Sequence, residues 1–293
     1  MRIAIYGRPF SNTALPYVQQ IFDCLAKYSI QPLVFENFKN FISGRIFFPT
    51  KVESFSEYSE LKGNADFLLS LGGDGTMLDS VALVRDSQIP IIGINFGRLG
   101  FLASINKDDI ASAIEGLVEK KFTLESRDLL SVVSSTPLFG DANFALNDVT
   151  IHRSDTSAMM IIHANLNGEY LNSYWADGLI VATPTGSTAY SLSCGGPIIF
   201  PASGNFVITP ISPHNLNVRP VVISDSNVLS FEIEGRGSKY LLSCDSRTET
   251  IDTSLKIEVK KADFSVNLIR LQGESYLTTL RNKLLWGIDT RNY

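Results

Sequence analysis

A chain of 293 residues, 44% apolar and 19% charged, has the composition of a soluble globular protein with room for more than one core. Its net charge of −5 argues against a protein that grips nucleic acid through a basic face. No apolar run reaches the length of a membrane span, and MRIAIYGRPF is too short and too quickly polar for a signal peptide. The single, unspaced cysteines Cys24, Cys194 and Cys244 read as reduced thiols, so a cytoplasmic location is expected.

In chain order, RIAIYG reads as a short strand closed by glycine. ALPYVQQIFDCLAKY then places Val18, Ile21, Phe22 and Leu25 on one helical stripe. PLVFE is a strand, a polar stretch follows, and DFLLSL is a buried strand that leads into a helix from about Thr76. IPIIGIN is the next strand, and DDIASAIEGLVEKK a helix with Ile110, Ile114, Leu117 and Val118 turned inward. Fully apolar strands between amphipathic helices imply a parallel sheet covered on both faces.

From about Leu129 the periodicity changes. AMMIIHANLNGEYLNSYW reads as two strands joined at Asn167-Gly168, a dipeptide favoured in tight hairpins. NVLSFEIEG, KYLLSCDS, LKIEVKKAD and FSVNLIRL are further short β segments, so this half is expected to be β-rich and sandwich-like. SYLTTLRNKLLWG is helical again, with Leu277, Leu280, Leu284 and Leu285 on one side, and is expected to pack back on the first domain. The expected domains are 1–125, α/β; 126–272, β-rich; and 273–293, the returning segment.

The stretch LLSLGGDGTMLDSV places three glycines and one acid between a strand and a helix. Gly72, Gly73 and Gly75 free the backbone to turn its N–H groups toward an anion, and the helix beginning near Thr76 adds the positive end of its dipole. The pattern is neither GxxxxGK[ST] nor GxGxxG. Asp74 beside a phosphate implies either a cation with acid-base chemistry or a helix cap, and the spacing leaves the two readings even. After IPIIGIN, the loop INFGRLGFLA carries Asn95 and Arg98, the latter a phosphate holder or a plain surface arginine.

In the β half, WADGLIVATPTGSTAYSLSCGGPII supplies hydroxyls from Thr185, Ser187, Thr188, Tyr190, Ser191 and Ser193 around a helix-like turn, with Tyr190 able to stack on a base. Ser187 is not in GxSxG, so a hydrolase elbow is not indicated. ALNDVTIH sets Asn147 beside Asp148, a pair suited either to ribose hydroxyls or to a turn. His152, His163 and His214 are far apart without metal spacing, so no protein-held metal is expected.

Together GGDGT (72–76), NFGRLGFL (95–102), ND (147–148), DGLIVATPTGSTAYSLSCGGPI (177–198) and ITPISPHNLNVRPVVI (208–223) resemble an NAD kinase along nearly the whole chain. GGDGT alone is also similar to lipid kinases and phosphofructokinases; a lipid kinase would leave the 177–198 segment unexplained. A non-catalytic dinucleotide-binding regulator would make Asp74 dispensable. The resemblance implies an N-terminal α/β domain, a C-terminal β domain and an NAD site between them. It implies transfer of the γ-phosphoryl group of ATP to the 2′-hydroxyl of the adenosine ribose, with Mg²⁺ brought by ATP. It gives Asp74 the role of proton acceptor and Asn147 and Asp148 that of holding the adenosine portion. It implies that Asp177, Thr185 and the run Thr188, Ala189, Tyr190, Ser191 to Ser193 line the dinucleotide site. It also implies that Gly72, Gly73, Gly75, Thr76, Asn95 and Phe101 belong to the nucleotide-binding loops. It also implies a homo-oligomer, dimer or tetramer. Three positions depart from the family pattern: Asp79, read as helix surface; Trp175, where Arg is frequent; and Arg247, in CDSR where others have CDGQ. Arg247 is a candidate partner for a substrate phosphate or for an acid across a subunit boundary.

Overall fold

The computed structural model describes residues 1–97, 100–154, 159–235, 237 and 239–287. Arg98 lies outside them. The chain forms two compact units, Met1–Ser126 with Val266–Tyr293, and Arg127–Ser265.

The first unit is a parallel sheet in the spatial order Glu53–Phe55, Gln31–Phe35, Arg2–Gly7, Phe67–Leu71, Ile91–Asn95, followed by the end of the strand Ile257–Leu271. Helices Leu15–Lys27 and Ile110–Val118 bury Val18, Ile21, Phe22, Leu25, Ile110, Ile114 and Leu117 in one cluster with Ile3, Ile5, Leu69 and Ile92. Val118, expected inward, is exposed. It is the last helical residue, and the chain turns away after it.

The polar stretch after PLVFE holds structure that its composition hides. Glu36–Ile42 is a helix, Glu53–Phe55 a strand and Tyr58–Leu61 a short helix. Phe38, Ile42, Phe55 and Leu61 are buried, and Phe41, Ile46, Phe48 and Val52 pack partly buried against the same core. The helix after Leu71 begins at Asp74, two residues before the expected start. In the last helix, Tyr276–Leu284, Leu280 is fully buried, whereas Leu277 and the left-handed cap Leu285 are exposed. The inward stripe is therefore narrower than the leucine spacing suggests.

The second unit is a β-sandwich. One layer is antiparallel, Val221–Ser224, Asn205–Ile211, Gly178–Ala182, Asp148–Arg153, Tyr240–Cys244 and Arg247–Ile251. The other pairs Glu169–Trp175, Met160–Leu166, Leu229–Gly235 and the start of Ile257–Leu271. Val149, Ile151, Leu179 and Val181 from the first layer share a core with Ile162, Ala164, Phe231, Ile257 and Val259 from the second. The Asn167-Gly168 turn has φ of 52° and 85°, the doubly left-handed geometry for which that dipeptide is suited.

LKIEVKKAD and FSVNLIRL, read as two segments, are one strand of 15 residues. Its first part pairs with Leu229–Phe231 and its last part with Ile91, so the chain re-enters the α/β unit at Val266, within a strand. No helix among the described residues is long and apolar enough to cross a membrane.

Candidate functional site

Leu71, the last residue of its strand, pairs in register with Gly7, so the GGDGT loop leaves the sheet at the carboxyl end of the central strands. Gly72 has φ of 151°, and a Cβ there would stand 2.3 Å from the Thr76 hydroxyl, so a side chain at this position would be strained and would displace Thr76. Gly73 is the helix N-cap, and its carbonyl accepts from the N–H groups of Thr76 and Met77. The N–H groups of Asp74 and Gly75 have no partner among the described residues. They form an open anion seat at a helix N-terminus.

Asp74 does not cap this helix. No side-chain cap bond is formed, and the carboxylate reaches across to the second glycine loop. Its Oδ2 accepts from Phe101 N–H at 2.8 Å, and its Oδ1 accepts from Leu102 and Ala103 N–H, each at 3.0 Å. Gly100 permits this approach: a Cβ there would lie 1.8 Å from Asp74 Oδ1. Oδ1 is saturated by two donors, whereas Oδ2 keeps one lone pair for a further donor. Asn95 is buried and its Oδ1 accepts from Gly97 N–H at 2.8 Å, which shapes the start of the same loop.

Asp79, read as helix surface, is instead the hub of a cluster. Arg8 donates Nε at 2.6 Å and Nη2 at 2.7 Å to its two oxygens, and the Tyr6 hydroxyl donates at 2.8 Å. The missed signal is the position of Arg8, immediately past the strand-closing Gly7.

In the β unit, Asn147 and Asp148 are placed by an acid that the sequence reading passed over. Asp245 Oδ2 accepts from Leu146 N–H at 2.8 Å, and its Oδ1 accepts from Asn147 at 2.8 Å and Asp148 at 3.2 Å. Asp245 occupies a left-handed position, φ 52°, in the two-residue turn between Tyr240–Cys244 and Arg247–Ile251. An Asp at such a turn between two β segments was the available signal. Burial pushes the Asp148 carboxyl up to about 6, with the Asp245 charge adding to it and the Thr150 hydroxyl opposing. Asp245 is raised by burial, against the pull of its three N–H donors and Arg247.

Gly186 fits because a Cβ would stand 1.9 Å from the Asn147 carbonyl oxygen, so the Thr183–Thr188 turn lies flat against the Asn-Asp pair. The hydroxyl run divides. Ser187 bonds the Pro184 carbonyl and the Ile199 N–H, and Ser191 bonds Thr209 at 2.8 Å, both fully buried. Ser191, expected to line the dinucleotide site, therefore spends its hydroxyl within the fold. Thr185 and Thr188 are half-buried, Ala189 likewise, and Tyr190 and Ser193 are exposed. Asp177 pairs with Arg153 at 3.1 Å. Arg247 donates to the carbonyls of Ala142 and Phe144, lies over the Phe144 ring and sits 3.8 Å from Asp245. Its guanidinium is thus committed inside its own unit. Among the described residues no group of three or more His, Cys, Asp or Glu is arranged to hold a metal ion.

Residues 3–122 match the family model of the ATP-NAD kinase N-terminal domain, and residues 146–271 that of the ATP-NAD kinase C-terminal domain. The chain is 47% identical over 293 residues to an NAD kinase of Cytophaga hutchinsonii and 45% identical over 294 residues to one of Flavobacterium psychrophilum, with all of each chain covered. Among solved structures, a yeast NADH kinase complexed with NADH superposes with a TM-score of 0.89 at 22% identity, covering 100% of this chain and 89% of that one; it bears on the fold alone. An NAD kinase from Archaeoglobus fulgidus in complex with ATP gives 0.76 at 25% identity, covering 97% and 99%.

Proposed function

The chain belongs to the NAD kinase family, and from that premise and the site's geometry we propose that it transfers the γ-phosphoryl group of ATP to the 2′-hydroxyl of the adenosine ribose of NAD, giving NADP and ADP. The observation that carries this reading is the Asp74 carboxylate, held by Phe101, Leu102 and Ala103 beside two unpartnered helix N-terminal amides. Phosphoryl transfer needs little from a protein beyond a seat for the phosphates, a base for the attacking hydroxyl and charge compensation. The amides of Asp74 and Gly75 supply the seat, with Gly72, Gly73 and Thr76 shaping the loop. Asp74 Oδ2, through its remaining lone pair, orients the ribose hydroxyl and takes its proton.

Asn147 and Asp148 hold the adenosine portion, and Asp177, Thr185, Thr188, Ala189, Tyr190 and Ser193 line the dinucleotide site. Asn95 and Phe101 complete the nucleotide loops. Ser191 supports that lining from within the fold through Thr209. Mg²⁺ enters with ATP, where it neutralises and bridges phosphate oxygens. The chain works in the cytoplasm as a homo-oligomer, dimer or tetramer. Exposed apolar side chains on the β unit support that association: Tyr170, Trp175, and Leu216 at 89% exposure. The test is incubation of the purified protein with ATP, Mg²⁺ and NAD, with NADP assayed. Product is expected; none from NAD or NADH would overturn the reading.

A further inference from the structure

The Tyr6–Arg8–Asp79 cluster has no part in the roles assigned above, and the sheet order gives it one. Arg2–Gly7 lies between Gln31–Phe35 and Phe67–Leu71, so the chain builds outward on one side and then returns to the other. In open parallel sheets ligands bind beyond the carboxyl ends of strands at such a reversal. Arg8 and the GGDGT loop leave the sheet side by side there, since Gly7 and Leu71 are register partners.

Asp79 grips the Nε and Nη2 edge of the Arg8 guanidinium, and Tyr6 fixes the carboxylate from behind. Nη1 has no partner among the described residues and lies 3.9 Å from where a Cβ of Gly75 would stand. The Arg8 side chain is 53% exposed and that of Asp79 only 19%, so the holder is sheltered and the held cation open. An exposed arginine otherwise spreads over many rotamers. Clamping its fork removes that entropy before a ligand arrives. Burial and the Asp79 contact push the Tyr6 hydroxyl up to about 12, which keeps it a neutral donor to the carboxylate.

The geometry points to Arg8 as a phosphate-binding residue for the donor nucleotide, with Asp79 and Tyr6 as the residues that position it. The free Nη1 meets a non-bridging oxygen of the ATP polyphosphate seated on the Asp74 and Gly75 amides. This rests on the proposal that the donor's phosphates occupy that loop, so its deciding test is equilibrium binding, which does not depend on turnover.

Equilibrium binding of ATP and of AMP is measured for the wild type, Arg8→Gln, Asp79→Asn and the double variant Arg8→Gln/Asp79→Asn, which leaves no sheltered lone carboxylate. A charge-assisted phosphate contact is worth roughly 10- to 100-fold in affinity. Arg8→Gln and the double variant are expected to lose that much for ATP, with AMP and the KM for NAD within about twofold. Asp79→Asn is expected to raise the KM for ATP several-fold with kcat little changed, and Asp79→Glu to restore part of it. ATP affinity within twofold of wild type in a double variant that melts cooperatively would overturn the proposal, as would equal losses for ATP and AMP. A wild type that binds ATP through Arg8 yet makes no NADP would sustain this assignment and sink the activity. A wild type that makes NADP with ATP affinity indifferent to Arg8 would do the reverse, and a wild type that binds no ATP would end both.

Discussion

Asp74 and Asp245 each accept three consecutive backbone N–H groups from a distant loop, Phe101 to Ala103 in the α/β unit and Leu146 to Asp148 in the β unit. Their surroundings differ. The Asp245 side chain is 2% exposed, with the like charge of Asp148 nearby and Arg247 at 3.8 Å, so it is enclosed and fixes one loop to another. Asp74 stands at an open helix N-terminus and keeps one acceptor position. A shared hydrogen-bond pattern therefore marks a rigid carboxylate, and access decides whether that carboxylate is a brace or a reagent.

The sharpest way to break the contrast is Asp74→Asn. Loss of a general base costs about 10²- to 10⁴-fold in kcat, and NAD affinity is expected to survive. The amide also leaves one loop N–H facing a donor, so a stability loss of about 1–3 kcal/mol accompanies it. Steady-state kinetics with denaturant unfolding separate the two effects; normal turnover from a less stable variant would make Asp74 a brace like Asp245.

Titration sharpens the β side. Asp148 is raised by burial and Asp245 to about 6, above an unfolded value near 4. Between those values the folded chain keeps a proton that the unfolded chain releases, so this contribution to stability is full below about pH 4. It declines as pH rises through the window and is gone above about pH 6, a change of at most about 3 kcal/mol. Urea midpoints at pH 4.5 and 7 are expected to converge in Asp148→Asn relative to wild type. An unchanged difference would remove the buried-pair account.

The glycines behind each loop offer a matched pair. In Gly100→Ala the new Cβ must expel the Asp74 carboxylate, and misplacement of a reacting group by about 1 Å can cost about 10²-fold in rate. Gly186→Ala meets the Asn147 backbone instead and is expected to cost about 1–3 kcal/mol of stability, with kcat within a few-fold. Indistinguishable profiles for the two would dissolve the distinction. The smallest effect is expected at Arg247→Gln, about 1 kcal/mol for the lost carbonyl contacts, with the KM for NAD within twofold. A tenfold rise in that KM would return Arg247 to the substrate.

What the sequence makes legible is local. Strand and helix alternation, the Asn167-Gly168 hairpin and the glycine loops each rest on neighbours a few positions apart. What it hides is long-range. Asp79 meets Arg8 across 71 positions, and Asp245 reaches its amides across 97 to 99. Ser191 and Tyr190 are adjacent and equally polar, yet one faces Thr209 in the interior and the other solvent. Arg247 looks like a free cation until its carbonyl partners are in place. The helix Glu36–Ile42 is hidden because its inner face is short, with Phe38 and Ile42 buried one turn apart and Phe41 packed beside them among polar neighbours.

The strand that begins in the sandwich and ends beside Ile91 sets an order for biosynthesis. Arg127–Ser265 is continuous, whereas the α/β unit, begun first, pairs Ile94 and Asn95 early with Ile105–Asn106 but gains its partner at Ile91 only when Leu268 has been made. During that interval only the Ile91 end of the edge stands unpaired in a nascent chain, and a strand that begins in the other unit is the one that closes it.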